Sequence, residues 1–400
     1  MSEAVDKIPT QSLLTAAERI LSGALGGPVR LEDAVVLRAS DHSAVLRAAL
    51  LSGPSQAPRS VILKRAGGDA QTPYDPEEGK VWGPAWRLFN DWAGAHLLTT
   101  VGGDPLNGPR LYGGDRTLGL IVLEDLGEGE SLADALLGSD PQKAESALMA
   151  FAAALGRMHA ATIGRAEEYR QFFRGLGAAD TDLYAEEVGR LEENPRWDPA
   201  ACESVGLDYP AEFDAEARTV LAAMRDPGPF LAYTHGDPCP DNNRLLDGQI
   251  RFFDFETGGF RHALLDGVYA RVPFPTCWCV NRLPAHLPSQ MEAVYRAEFA
   301  KGCPQAEDDF LFARSLTEAC ALWCLRTVSW PLAGALKEDS TWGISTIRQR
   351  ILMRLDGFAE TTEQFGHLPV MGATARDLAS RLRAVWPDAD AMPLYPAFRS

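Results

Sequence analysis

The sequence has few cysteines, few basic residues relative to acidic ones, and no unbroken apolar run of membrane-spanning length. Seven cysteines in 400 residues are too few and too irregularly spaced for a disulfide framework, which favours a reducing cytoplasm. The N-terminus lacks a basic segment followed by an apolar core, so we expect no secretory signal. A formal net charge of −17 disfavours nucleic acid and anionic membranes as partners. Composition therefore predicts a soluble, cytoplasmic globular protein.

The cysteines leave two interpretations open. Cys277 and Cys279, with Cys320 and Cys324 one helical turn apart, could form a four-thiolate metal site. Neither a Cys-x-Cys pair nor a helical i, i+4 pair is the usual zinc spacing, so we expect buried, small apolar residues instead.

The length favours two domains, because 400 residues exceed a typical single core. Apolar residues at helical spacing predict a first helix over 10–25 and a second over 86–98. Apolar runs predict strands over 34–37, 44–50, 61–64 and 118–123, and helical patterns dominate from residue 139 onward.

One stretch, Tyr233–Glu256, concentrates the residue types that phosphoryl transfer needs. A His-Gly-Asp triplet ends at Asp237, five residues before Asn242, and Asp254 follows twelve residues after that. Apolar runs on both sides of Asp247-Gly248 predict a tight hairpin. Asp237 and Asn242 are then expected on the loop before one strand, and Asp254 at the end of its partner. A carboxylate for the attacking hydroxyl and two metal ligands would converge at one end of the ribbon.

This segment resembles the catalytic segment of the aminoglycoside phosphotransferase and choline kinase-like family, which shares the protein-kinase fold. The resemblance implies an α+β, bilobal fold, with a small antiparallel sheet and one main helix before a larger, mostly helical lobe. It also implies an ATP- and Mg²⁺-dependent phosphotransferase acting on a hydroxyl of a small molecule. By this resemblance Asp237 would orient or deprotonate the hydroxyl, and Asn242 and Asp254 would ligate Mg²⁺.

The run Val61–Lys64 resembles the kinase strand whose lysine holds the α- and β-phosphates. In the family, the next helix carries a glutamate that pairs with this lysine. Here Asp91 occupies the matching place and is one methylene shorter. Either the helix packs closer, or Glu77 or Glu78 is the partner.

The family's hinge between lobes matches the end of the predicted strand at 118–123. By analogy, backbone groups of Glu124 and Leu126 would bind the adenine edge. We therefore place a nucleotide-binding lobe at residues 1–124 and a catalytic and substrate-binding lobe at 125–400. Asp266 matches an aspartate that braces the catalytic loop in the family.

Two features keep alternatives open. The loop 38–43, which would cover the phosphates, contains no glycine, unlike the Gly-rich form of the family. A nucleotide-binding scaffold without catalysis is therefore a second hypothesis. Acidic residues are dense over 179–193, which is compatible with a cationic acceptor and also with a solvated helix face. A kinase of a sugar or amino-alcohol metabolite is the third hypothesis.

Overall fold

A computed structural model describes residues 10–40, 43–67, 74–103, 106–177 and 183–399. The helices are α1 (Thr10–Leu25), α2 (Pro84–Val101), α3 (Leu132–Leu137), α4 (Pro141–Thr162), α5 (Ala166–Gly175), α6 (Leu183–Glu193), α7 (Pro199–Ser204), α8 (Phe213–Arg225), α9 (Leu264–Gly267), α10 (Leu287–Phe299), α11 (Asp309–Lys337), α12 (Ile347–Phe365) and α13 (Pro369–Val385). The strands are β1 (Arg30–Leu31), β2 (Val35–Ala39), β3 (Ser43–Ser52), β4 (Ser60–Ala66), β5 (Leu111–Asp115), β6 (Leu120–Glu124), β7 (Leu231–Thr234), β8 (Asn243–Leu246), β9 (Gln249–Phe252), β10 (Gly259–His262), β11 (Thr341–Trp342) and β12 (Ser345–Thr346).

The chain forms two compact units. The first contains residues 1–129, 165–181 and 251–259, and the second contains 130–164, 182–250 and 260–400. The first unit therefore receives two later segments in addition to the N-terminal part of the chain.

The first unit is built on an antiparallel sheet of order β1-β3-β4-β6-β5, with β2 paired to β3. Helix α1 packs its apolar residues, including Leu14 and Leu21, against alternate sheet residues such as Leu46 and Leu63. Because side chains alternate along a strand, Lys64 points away from this core. It reaches helix α2, which also contacts the sheet.

The second unit is mostly helical. Helices α4 and α10 pack closely at Gly156, where an added Cβ would lie 2.5 Å from the Tyr295 carbonyl oxygen. Helices α11, α12 and α13 pack in sequence order, and α8 lies against α11. These elements confirm the predicted α+β class, with a small antiparallel sheet, one main helix and a larger helical part.

Helix α11 is long and apolar enough to cross a membrane by length and composition, and 56% of its most apolar window is buried inside the protein. Thr317 and Glu318 interrupt its apolar sequence, so the helix contains no unbroken apolar run of membrane-spanning length. A buried core helix passes the same composition test.

Candidate active site

Lys64 lies in a small charged cluster in the first unit. Its Nζ is 2.6 Å from Oδ2 of Asp91 on α2 and also forms an ion pair with Oδ1 of Asp254. The Lys64 side chain is 11% exposed. Burial by itself lowers the pKa of this ammonium, but the Asp254 and Asp91 carboxylates raise it above its ordinary value. Lys64 is therefore a buried permanent cation.

Asp91 holds two elements at once. Its Oδ2 contacts Lys64, while its Oδ1 accepts a hydrogen bond of 2.8 Å from the backbone N–H of Phe255. This bond fixes the chain directly after Asp254. The φ of Asp254 is +71°, in the left-handed region that residues other than glycine rarely adopt. Strained backbone of this kind is concentrated at functional sites.

The polar face of α2 makes further contacts with the segment 254–258. Asn90 donates from Nδ2 to the carbonyls of Glu256 at 2.9 Å and Gly258 at 2.8 Å, and its Oδ1 accepts from the Tyr169 hydroxyl at 2.5 Å. Arg87 pairs with the Glu256 carboxylate at 2.9 Å. Burial and the nearby Asp254 raise the pKa of Glu256.

Sequence reasoning missed the roles of Arg87 and Asn90. The signal was available, because Arg87, Asn90 and Asp91 stand at i, i+3 and i+4 and so share one face of a largely apolar helix. A polar trio of this spacing on a buried helix predicts a shared polar partner.

The other candidate partners of Lys64 lie elsewhere. Glu77 pairs with Arg116 at 2.6 Å, and Glu78 lies beside Gly83. Of the three carboxylates considered, Asp91 is the one that the structure places against the lysine.

At the predicted hinge, the Glu124 carboxylate is already engaged. It pairs with Arg251 at 2.6 Å and accepts from the backbone N–H of Arg110 at 2.9 Å. Leu126 is half-buried just after β6. A ligand at this position would therefore meet backbone groups rather than the Glu124 side chain.

The loop between β7 and β8 lies in the second unit and is held by hydrogen bonds within that unit. The backbone N–H of His235 donates to Asp266 Oδ2 at 2.7 Å, so Asp266 braces the loop. Gly236 has a φ of +78°, which suits a residue without Cβ. Asn242 donates from Nδ2 to the Asp237 carbonyl at 3.0 Å and lies 3.4 Å from its carboxylate. Asp237 and Asn242 are thus neighbours within this unit.

The predicted hairpin is present between β8 and β9. Asp247 and Gly248 both have positive φ, at 49° and 77°, as a type I′ turn requires. Strand β9 then carries the chain from the second unit into the first, where Asp254 lies.

One cysteine lies on this loop and two more lie close to it. Cys239 donates from Sγ to Oδ1 of Asp237 at 3.0 Å, and the sulfurs of Cys277 and Cys279 are 3.0 Å apart. The neighbouring thiols of Cys239 and Cys279 lower the pKa of Cys277 below its ordinary value. Within the described ranges, the group able to hold a metal ion is Cys239, Asp241 and Cys277, a set without the two cysteines of α11.

The residues on either side of the loop before β3 contact each other. Ser40 and Ser43 hydrogen-bond to one another, with Ser40 N donating to Ser43 O at 2.9 Å, and the residues between them lie outside the described chain. In the acidic stretch over 179–193, Glu192 pairs with Arg225 at 2.6 Å. Asp180 and Asp182 lie outside the described residues.

The chain matches the model of a known protein family. The model of the phosphotransferase enzyme family (APH) matches residues 88–297, which is more than half of the chain and includes Asp91, Asp237, Asn242 and Asp254. No curated protein sequence matches.

Several solved structures are similar to the chain. A choline/ethanolamine kinase family protein from Mesorhizobium loti has 14% identity and a TM-score of 0.42, covering 91% of this chain and 99% of that one. A choline kinase from Cryptosporidium parvum has 11% identity and a TM-score of 0.46, with 86% and 93% covered. An amicoumacin kinase in complex with AMP-PNP, Ca²⁺ and Ami has 16% identity and a TM-score of 0.44, with 95% and 96% covered.

The family match identifies a small-molecule phosphotransferase. The chain belongs to the phosphotransferase enzyme family (APH). The predicted resemblance and the protein-kinase-like fold are thereby confirmed, and an enzyme is favoured over the inactive scaffold.

Proposed function

We propose that this phosphotransferase uses ATP and Mg²⁺ and transfers the γ-phosphate to a hydroxyl group of a small molecule. The observation that carries the proposal is the buried Lys64 ammonium, which lies between the carboxylates of Asp91 and Asp254. A permanent cation on a strand, oriented by a helix carboxylate, suits the α- and β-phosphates of a nucleotide.

When the nucleotide binds, Lys64 would exchange its contact with Asp254 for phosphate oxygens. Asp91 would keep the ammonium in place, since its second oxygen is fixed by the backbone N–H of Phe255. The adenine edge would meet backbone groups of Glu124 and Leu126, because the Glu124 carboxylate is paired with Arg251.

Each of the two proposed metal ligands carries a donor atom suited to a magnesium ion. Asp254 offers a carboxylate and Asn242 an amide oxygen, the hard oxygen ligands that Mg²⁺ prefers. Asn242 uses its amide nitrogen to bond the Asp237 carbonyl, so its amide oxygen is the atom that would face the ion. Mg²⁺ held there would neutralise charge on the β- and γ-phosphates.

Asp237 would orient the acceptor hydroxyl and take its proton as the phosphate is transferred. Its position is set by the loop, which the Asp266 carboxylate holds through the His235 backbone. The Asp237 carboxylate is half-buried, so it remains within reach of a bound small molecule.

The test compares three aspartates of the same segment. Asp237→Asn should lower turnover by about 10²–10⁴-fold with nucleotide affinity retained, because a positioned base contributes that much. Asp254→Asn should weaken magnesium-dependent ATP binding. Asp247→Asn is the matched control, since this exposed turn residue has a φ of +49° that asparagine also tolerates. Wild-type turnover of Asp237→Asn would disprove the role given to that carboxylate.

The acceptor is found by screening phosphate transfer from labelled ATP over aminoglycosides, sugars and amino alcohols. The net charge of −17 puts cationic alcohols first in this panel. Transfer to one class that depends on Asp237 identifies the substrate class. ATP hydrolysis without transfer to any alcohol would count against the proposed reaction.

A further inference from the structure

Two separate stretches of the second unit bring sulfur and oxygen ligands together. Cys239 and Asp241 lie on the loop between β7 and β8, and Cys277 lies between α9 and α10. Their ligand atoms are all within 4.8 Å of one another. Ligands around a tetrahedral metal with bonds of about 2.0–2.3 Å are about 3.3–3.8 Å apart, so small side-chain movements would complete the geometry.

We propose that Cys239, Asp241 and Cys277 form a binding site for a thiophilic divalent cation such as Zn²⁺. Thiolate ligands select zinc and cadmium, whereas magnesium prefers oxygen donors alone. The site is therefore chemically distinct from the magnesium position given to Asn242 and Asp254.

The contacts around these ligands hold them in place. Trp278 donates from Nε1 to Oδ2 of Asp241 at 2.8 Å, which leaves Oδ1, at 4.0 Å from the Cys277 sulfur, on the side of the thiols. The carbonyl of Cys277 accepts from the guanidinium of Arg350 at 2.7 Å. Protein metal sites depend on such outer hydrogen bonds to orient their ligands.

A buried cation lies near these ligands. Arg350, which is 1% exposed, adds a positive charge that would partly offset the two thiolates and the carboxylate around the metal ion. The two sulfurs are buried, and Asp241 is half-buried. A metal ion would therefore enter the site from the side of Asp241.

A metal ion bound at this site would change a contact of Asp237, the proposed base. The Cys239 thiol now donates to Asp237 Oδ1 at 3.0 Å, and a metal-bound thiolate has no proton to donate. This consequence rests on the proposed role of Asp237 and predicts that zinc lowers the rate of phosphate transfer. The metal site itself does not depend on that role.

The test is a titration of the full-length protein with Co²⁺ in excess Mg²⁺, followed by displacement with Zn²⁺. Wild-type protein should bind one Co²⁺ and show a thiolate-to-cobalt charge-transfer band in the near ultraviolet. Cys239→Ser, Cys277→Ser and Asp241→Asn should each weaken binding by about tenfold or more. Cys320→Ser is the matched control, since it also removes one buried thiol and should leave the band unchanged.

Circular dichroism of each variant checks folding. Asp241→Asn keeps the site testable if a cysteine variant fails to fold, because the Asp241 side chain is only half-buried. Absence of the band in wild-type protein, or its persistence in Cys239→Ser and Cys277→Ser, would overturn the site. Cobalt binding with an unchanged transfer rate would overturn only the link to Asp237. A protein without phosphotransfer activity would still report the site through its absorption.

Discussion

Replacing Asp91 by alanine is expected to destabilise the first unit by about 3 kcal/mol. The Asp91 side chain is 2% exposed and makes two contacts, with Lys64 Nζ at 2.6 Å and with the Phe255 backbone N–H at 2.8 Å. Removal of one partner from a buried ion pair costs about 3–5 kcal/mol. Because Asp254 remains next to Lys64, we expect the lower end of that range.

A more conservative change separates the two contacts. Asp91→Asn keeps an oxygen that can accept from Phe255 N–H, but it presents a neutral amide to Lys64. We expect it to cost about half as much as the alanine change, or about 1.5 kcal/mol. The difference between the two variants measures the hydrogen bond, and the asparagine variant measures the charge.

Hydrogen exchange of peptides from β4 and α2 is the suitable assay, because two compact units need not unfold in one transition. Glu77→Gln is the control, since it removes an exposed ion pair with Arg116 and should leave exchange unchanged. Exchange in Asp91→Asn equal to that of wild type would refute the reasoning, because the ion pair would then contribute nothing.

Three further outcomes are expected. Asn90→Ala should speed exchange in the 254–258 segment, because it removes the Asn90 hydrogen bonds to the carbonyls of Phe255, Glu256 and Gly258, of which the two shorter ones contribute about 1 kcal/mol each. Gly156→Ala should lower the melting temperature, since its Cβ would lie 2.5 Å from a carbonyl of α10, whereas Gly23→Ala, with open space around it, should raise it. Glu256→Gln should flatten the pH dependence of the free energy of unfolding. The pKa of Glu256 is raised in the folded state, so its protonated side chain contributes fully to stability below pH 4.5, and this contribution is lost as pH rises through the folded-state pKa.

The sequence predicted the elements with strong periodicity. Helix α1 has the predicted bounds. The predicted turn at Asp247 and Gly248 is present, and both residues have the positive φ values that such a turn requires. The strands β5 and β7 were missed. Strand β5 contains Gly113 and Gly114 and all its residues are half-buried, so it lacks alternation, and β7 is only four residues long.

The candidate site could be predicted residue by residue but not contact by contact. Sequence spacing singled out Lys64, Asp237, Asn242 and Asp254, yet the partner of Lys64 stayed open among three carboxylates. That choice depends on how closely α2 approaches β4, which is a property of tertiary packing. No local pattern encodes such a distance.

The short side chain of Asp91 is compensated by the close approach of α2 to the sheet. Next to Asp91 on α2, the Trp92 ring lies so near β5 that a Cβ at Gly114 would be 2.5 Å from it and 2.7 Å from the Leu120 carbonyl oxygen. A side chain at residue 114 would therefore push α2 away from the sheet. The helix can reach Lys64 with an aspartate because glycine leaves that space open.

This packing predicts a coupled pair of substitutions. Gly114→Ala should lengthen the Lys64 to Asp91 contact, and Asp91→Glu should overfill it, each costing about 1–3 kcal/mol. In the double variant, the longer carboxylate would span the wider gap. The combined cost, measured by hydrogen exchange of β4, should then be lower than the sum of the single costs by about 0.5 kcal/mol or more. Simple additivity would show that the α2 to sheet distance does not set which acid pairs with Lys64.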